Sequence, residues 1–134
     1  MGKARPPRFD PRRPERNVIA YSLWGDAPRY LETAVHNAQI APDLYPAWHC
    51  RFYCDDTVPA AVRERLTSLG ATVVMKARPP MRHASLFWRF LVADDPTVDR
   101  FLVRDADSLL TVRERVAVDD CLLGEQPFHA MRDW

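Results

Sequence analysis

Residues 50–75 read CRFYCDDTVPAAVRERLTSLGATVVM, and this stretch decides the fold class. An apolar run of strand length, residues 50–54, comes first, and a β-branched run, residues 71–75, comes last. Between the two runs, apolar residues recur at helical spacing, at Val62, Leu66 and Leu69. The order strand, helix, strand is typical of a βαβ unit, which places two parallel strands in one sheet.

The same alternation continues on both sides of this unit. Residues 18–23 are nearly all apolar and predict a first strand that is covered on both faces. A helix is predicted to follow, with Asp26 as its N-cap and with Pro42 and Pro46 ending it. Residues 101–103 predict a fourth strand. We therefore expect an α/β fold with Rossmann-like three-layer α/β/α architecture and a mostly parallel sheet.

Two further helices are predicted in the second half of the chain. One covers about residues 85–93 and has its apolar anchors at Leu86, Phe87, Phe90 and Leu91. The other is predicted to begin at Thr111, because Thr111 and Glu114 have the spacing of a capping box. It is predicted to end at Gly124. A last extended run is expected over residues 127–133.

Composition narrows the classes of protein to which the chain can belong. Its 134 residues include 19 Lys and Arg against 18 Asp and Glu, and 47% are hydrophobic, which suits one domain or part of one. The near balance of charge gives no strong nucleic-acid signal, and no apolar run has the length of a membrane span. Three cysteines are an odd number without the spacing of a disulfide framework, so we expect a soluble, cytoplasmic protein.

Charge is unevenly distributed along the chain. Residues 1–16 contain six basic side chains, two acidic ones and four prolines, a composition that disfavours a regular helix and offers little to bury. We predict a basic, Pro/Arg-rich flexible arm over residues 1–16. One α/β domain is expected over residues 17–134.

Carboxylates come directly after three of the four predicted strands. Asp26 lies after the first, Asp55 and Asp56 after the second, and Asp105 and Asp107 after the fourth. Because the carboxyl ends of parallel strands lie at one edge of a sheet, we expect these side chains to face a common cleft. Asp105 and Asp107 can offer oxygen ligands to Mn²⁺ or Mg²⁺, and diphosphate oxygens can fill the remaining positions. A solvated turn or a helix cap is the other interpretation of this acidic pair.

A second possible metal cluster consists of His49, Cys50, Cys54 and Asp55. On an extended strand, Cys50 and Cys54 are about 13 Å apart, at roughly 3.3 Å per residue. Two thiolates on one zinc ion must each lie about 2.3 Å from it. We therefore expect no zinc site there.

Residues 85–92 read SLFWRFLV, and residues 99–108 read DRFLVRDADS. These two stretches resemble nucleotide-sugar glycosyltransferases of GT-A type. In many such enzymes, a helix with an aromatic-aromatic-Arg-hydrophobic pattern precedes the strand that delivers the DxD aspartates. The resemblance runs from about Asn17 to the C-terminus. It implies the donor-binding part of such an enzyme, with a divalent cation, a nucleotide-sugar donor and an unidentified glycan, lipid or protein acceptor.

The resemblance also implies which residues contact the donor. The first strand leads to a donor-nucleotide edge, the second to an acidic turn that often contacts the base, and Arg89 matches an arginine that contacts the donor phosphate or the aspartates. The implied donor contacts are Ser22, Trp24, Asp26, Asp55, Asp56, Arg89, Arg104 and Ala106, beside the cation ligands Asp105 and Asp107.

Two other functions share the same motif. A hydrophobic strand and then Asp-x-Asp is also the nucleophile motif of haloacid-dehalogenase-type phosphatases, with Asp105 in that role, although there it normally opens the domain. GT-A domains carry their acceptor site and catalytic base or nucleophile in a later half, so the resemblance implies that the domain over residues 17–134 is C-terminally incomplete. A non-catalytic, truncated donor-binding fragment is therefore the second alternative, and no residue is predicted as the catalytic base.

Overall fold

The computed structural model describes residues 9–78, 82–106 and 108–123. Within these ranges it describes all side chains except those of residues 82–86 and 120–123. The strands are β1 (Asn17–Leu23), β2 (His49–Cys54), β3 (Thr72–Met75) and β4 (Arg100–Asp105). They form one sheet of four parallel strands in the order β3-β2-β1-β4. The predicted α/β fold with a parallel, Rossmann-like sheet is confirmed.

Five helical segments precede, connect or follow these strands in the described ranges. The α-helices are α1 (Pro28–Leu44), α2 (Ala60–Ser68) and α3 (Val112–Leu123). A short 3₁₀ helix covers Pro14–Arg16, and a second one, called here the long 3₁₀ helix, covers Arg82–Asp94. No helix in the described ranges combines the length and apolar character that crossing a bilayer requires. The predicted extended run at residues 127–133 lies outside the described residues.

Strand β1 is the centre of the sheet. All seven of its residues are buried, and it pairs in parallel with β2 on one side and β4 on the other. Buried backbone groups need hydrogen-bond partners, and pairing along both edges supplies them. The side chains alternate between the two faces of the sheet, with Ile19 and Tyr21 in one apolar cluster and Val18 and Ala20 in the other.

The two faces of the sheet carry different kinds of helix. All three α-helices contribute to the apolar cluster on the first face, for example through Ala34, Leu66 and Val118. The long 3₁₀ helix covers the second face, where Trp88 and Val92 are buried beside β1. The sheet is therefore the middle of three layers, as the sequence predicted.

Helix α1 differs from its prediction at both ends. Its N-cap position is Ala27, without a side-chain cap, so the prediction of Asp26 as the cap was wrong. Pro42 lies inside the helix, which continues to Leu44. Because Pro42 stands in the last turn, its missing N–H removes only one hydrogen bond, and Tyr45 still donates its N–H to the Ala41 carbonyl at 2.7 Å.

The predicted helix at residues 85–93 is present but is a 3₁₀ helix. Of its predicted apolar anchors, Phe87, Phe90 and Leu91 are exposed, and the side chain of Leu86 lies outside the described ones. Among the described side chains of this helix, those of Trp88 and Val92 are buried. The helix therefore packs on the sheet through Trp88 and Val92, and the three exposed predicted anchors do not contribute to the core.

The segment predicted as a flexible arm is described from Phe9 onward, and there it contacts the domain. The Phe9 ring lies 6.1 Å from the Trp48 ring, centroid to centroid. Arg16 binds the Asp99 carboxylate through two guanidinium nitrogens, at 2.6 and 2.7 Å. This contact holds the pKa of Asp99 below its usual value. Residues 9–16 thus pack near the amino ends of β1, β2 and β4.

A buried ion pair joins β4 to α3. The Arg104 guanidinium contacts the Glu114 carboxylate, and the two side chains are only 6% and 5% exposed. Half of the predicted capping box forms, since the Glu114 N–H donates to the Thr111 hydroxyl at 3.3 Å. The Glu114 carboxylate pairs with Arg104 because a buried guanidinium requires a counter-charge.

We expect Glu114→Ala to lower the free energy of unfolding by about 3–5 kcal/mol, because it leaves the Arg104 charge buried without its partner. Urea unfolding monitored by circular dichroism measures this. Asp119→Ala is the control, since it removes a partly exposed i,i+4 pair with Arg115 and should cost less than about 1 kcal/mol. Equal losses in the two variants would contradict the assignment.

Candidate functional site

The sheet reverses its strand order beside β1. The chain passes from β1 to β2 and β3 on one side and then returns to β4 on the other. In open α/β sheets, ligands bind beyond the carboxyl ends of the strands at such a switch point. A cavity of about 340 Å³ lies there, lined by Ser22, Leu23, Trp24, Tyr30, Arg89, Asp105 and Ala106. Its position and volume are those of a small-molecule site.

Strand pairing brings the polar residues of this cavity together. Ser22 of β1 is the register partner of Asp105 of β4, so the two residues lie side by side at the carboxyl edge. The Ser22 hydroxyl accepts a hydrogen bond from the Arg89 N–H at 2.8 Å, which fastens the long 3₁₀ helix to the same point. Two strands and one helix therefore meet at Ser22.

Arg89 and Asp105 form an ion pair in the cavity lining. The Arg89 Nη1 contacts the Asp105 carboxylate and also donates to the Arg104 carbonyl at 3.1 Å. Its guanidinium carbon lies 5.4 Å from the centroid of the Phe90 ring. The Arg89 Nε is buried and has no hydrogen-bond partner among the described residues. A guanidinium has five N–H donors, so Arg89 keeps donor capacity for a ligand.

The acidic turn after β2 is held by its own contacts and does not line the cavity. Asp55 is 2% exposed and accepts hydrogen bonds from the N–H of Thr57, at 2.9 Å, and from its hydroxyl. The Thr57 hydroxyl oxygen in turn accepts the Gly25 N–H at 2.6 Å. Asp56 is exposed and pairs with Arg78 at 2.9 Å. Asp55 thus shapes the turn and joins it to the end of β1.

The remaining predicted site residues divide into those that line the cavity and those that lie elsewhere. Ala106 lines the cavity, as do Ser22, Trp24, Arg89 and Asp105. Asp26 is exposed and is not among the lining residues. The Arg104 side chain lies on the face of the sheet that carries the α-helices. There it pairs with Glu114 of α3 and donates to the Leu109 carbonyl at 3.1 Å. Asp107 lies outside the described residues.

Two lining residues were missed by sequence reasoning. Leu23 is the last residue of β1, and Tyr30 lies in the first turn of α1, 40% exposed. A helix that comes after a central strand begins beside the carboxyl edge of the sheet, so first-turn residues are candidates for the cleft. This positional signal could have identified Tyr30.

The two cysteines of β2, which were considered above as zinc ligands, lie in an apolar environment. Cys50 and Cys54 both lie on a regular strand and are buried in the first apolar cluster. Burial raises the pKa of each thiol to about 12. Among the described residues, no group of three or more His, Cys, Asp and Glu side chains is placed to hold a metal ion.

We expect Cys50 and Cys54 to resist Ellman's reagent at pH 8 in the folded protein, since a pKa of about 12 leaves almost no thiolate. The experiment uses a Cys121→Ser background, and release of thionitrobenzoate is measured before and after guanidinium is added. Ala77→Cys, at an exposed position, is the positive control. Rapid labelling of the native background protein would contradict the buried placement.

Comparison with known proteins adds no family to this description. No protein-family model matches the chain, and no curated protein gives a significant match. The function is therefore argued from the residues and geometry of the cavity.

Proposed function

We propose that the cavity binds a nucleotide-diphosphate sugar together with Mn²⁺ or Mg²⁺, and that the protein transfers the sugar to an acceptor. The observation that carries this proposal is the combination of a guanidinium, a carboxylate and two aromatic rings at the switch point of a parallel sheet. These are Arg89, Asp105, Trp24 and Tyr30. The guanidinium suits a diphosphate, the carboxylate suits a cation, and the aromatic rings suit a base or a sugar.

The polar side of the cavity suits a diphosphate with its cation. Mg²⁺-type sites generally use one or two protein carboxylates, with waters and substrate phosphates as the other ligands. The Asp105 carboxylate is 60% exposed and therefore accessible, and Asp107 is assigned as the second ligand from the sequence pattern. The residues present fit such an ion, which would neutralise charge on the diphosphate leaving group.

Arg89 is the protein's own cation at this position. The Arg89 side chain is 19% exposed and its guanidinium lies beside Asp105, so it can donate charge-assisted hydrogen bonds to a phosphate bound near that carboxylate. Arg89 and a divalent cation compete for the same carboxylate. We infer that binding of the metal releases part of the guanidinium for the phosphate.

The apolar side of the cavity suits the base or the sugar. Trp24 and Tyr30 present aromatic surface, and Leu23 and Ala106 complete the apolar lining. Aromatic side chains contribute large contact areas and pack against planar bases and against the C–H faces of sugars. Ala106 contributes only a methyl group to this lining.

We expect calorimetry to detect binding of a UDP- or GDP-sugar in the presence of Mn²⁺ and much weaker binding without it. Asp105→Asn and Asp107→Asn should each weaken the Mn²⁺-dependent binding by about tenfold or more, equivalent to about 1.4 kcal/mol. The matched control is Asp56→Asn, which removes an exposed carboxylate outside the cavity lining. Absence of binding, or equal affinities in all variants, would refute the proposed site.

We expect Arg89→Gln to change two affinities in opposite directions. Binding of pyrophosphate with Mn²⁺ should weaken by about tenfold or more, because a charge-assisted hydrogen bond of about 1.5–3 kcal/mol is lost. Binding of Mn²⁺ alone should tighten, because Asp105 loses its competing partner. Mn²⁺ electron paramagnetic resonance measures the second quantity, and Arg78→Gln is the control. A loss of both affinities would instead indicate damage to the fold.

The geometry does not favour the phosphatase alternative. Asp105 is paired with Arg89 and stands on β4, an edge strand of the described sheet. Lys76, the lysine in the described ranges, comes after β3 at the opposite edge. Magnesium-dependent hydrolysis of p-nitrophenyl phosphate that Asp105→Asn abolishes would reverse this preference. Donor binding without release of the nucleotide diphosphate would identify the non-catalytic donor-binding alternative.

A further inference from the structure

Asn37 is a buried polar residue of α1 that does not line the cavity. Its side chain is fully buried. The Asn37 Nδ2 donates to the Ser108 carbonyl at 2.9 Å, and its Oδ1 accepts the Leu110 N–H at 2.9 Å. Both partners are backbone groups of fixed polarity, so these two contacts determine the orientation of the amide.

Both hydrogen bonds end on one loop. This loop, called here the acidic loop, spans residues 106–111 between β4 and α3 and includes Asp107. The Ser108 N–H also donates to the Asp105 carbonyl at 3.2 Å, which links the loop back to the end of β4. Asn37 therefore holds Ser108 and Leu110, both of which are close to Asp107 in the chain.

We infer that Asn37 is a positioning residue for the cation and diphosphate site, through its hold on the acidic loop. This inference rests on the proposed function, because it assumes that Asp105 and Asp107 bind a cation. The physical reason is that carboxylates bind a metal ion well only when their positions are fixed, and residues that orient ligands by hydrogen bonding are needed for full affinity. A buried amide that uses both its donor and its acceptor on one short loop supplies this constraint.

A matched control residue is available at the other end of the sheet. Asn17 is also a buried asparagine, and its Nδ2 donates to the Ala47 carbonyl at 3.0 Å. It stands at the amino end of β1, whereas the cavity lies at the carboxyl end. Truncation of Asn17 therefore imitates the loss of a buried amide without touching the acidic loop.

The test compares Asn37→Ala with Asn17→Ala in the full 134-residue chain. Calorimetry measures binding of Mn²⁺ with inorganic pyrophosphate, at a temperature where urea unfolding shows that both variants are folded. We expect Asn37→Ala to weaken this binding by about 10–100-fold. Asn17→Ala should bind as the wild type does. Hydrogen exchange of the Leu110 N–H should become faster in Asn37→Ala and stay unchanged in Asn17→Ala.

The possible outcomes separate the inference from the proposed function. If the wild type fails to bind Mn²⁺ with pyrophosphate, the proposed function fails. If the wild type binds and Asn37→Ala binds equally well, or if both variants lose affinity alike, only the positioning role of Asn37 is overturned. If Asn37→Ala does not fold, the isosteric Asn37→Asp takes its place under the same criteria, since it loses the donor to Ser108.

Discussion

The pairing of β1 along both of its edges is the interaction on which the rest of the structure depends. A strand whose residues are all buried cannot use water to satisfy its backbone, so it requires a partner strand on each side. β2 and β4 meet this requirement. Since β1 is central, each helical layer packs against it, and the crevice at its carboxyl end opens between connections that leave in opposite directions.

Arginine–carboxylate pairs connect the outer elements to this centre. Arg16 holds the chain before β1 to Asp99, and Arg104 joins β4 to α3 through Glu114. Both pairs lie away from the cavity lining. The pair at the cavity, Arg89 with Asp105, differs because its carboxylate side chain is largely exposed. A ligand can therefore exchange with this pair at a lower cost in desolvation than with the buried Arg104–Glu114 pair.

The acidic residues after the strands show how one sequence pattern leads to different structural roles. The Asp55 carboxylate accepts two hydrogen bonds from Thr57, because the chain turns at once towards α2 and an aspartate at that point stabilises the turn. Asp105 is the last residue of its strand, where register with Ser22 brings it to the cavity. The two aspartates have different roles because the chain takes a different path after each strand. The hydrophobic period and the composition of the sequence do not predict that path.

The sequence by itself determined the layer architecture and the edge of the sheet at which the cavity lies. Largely apolar runs of strand length, such as residues 18–23 and 50–54, predict buried strands, and parallel strands bring their carboxyl ends together. Five predicted residues, Ser22, Trp24, Arg89, Asp105 and Ala106, accordingly line one cavity. Tertiary structure decided that Arg104 pairs with Glu114 and that Asp55 stabilises a turn. It also decided that Tyr30 lines the cavity and that Asn37 contacts the acidic loop. Those outcomes depend on side-chain direction and on contacts between residues distant in the chain, such as the 73 positions between Asn37 and Leu110, which no local pattern contains.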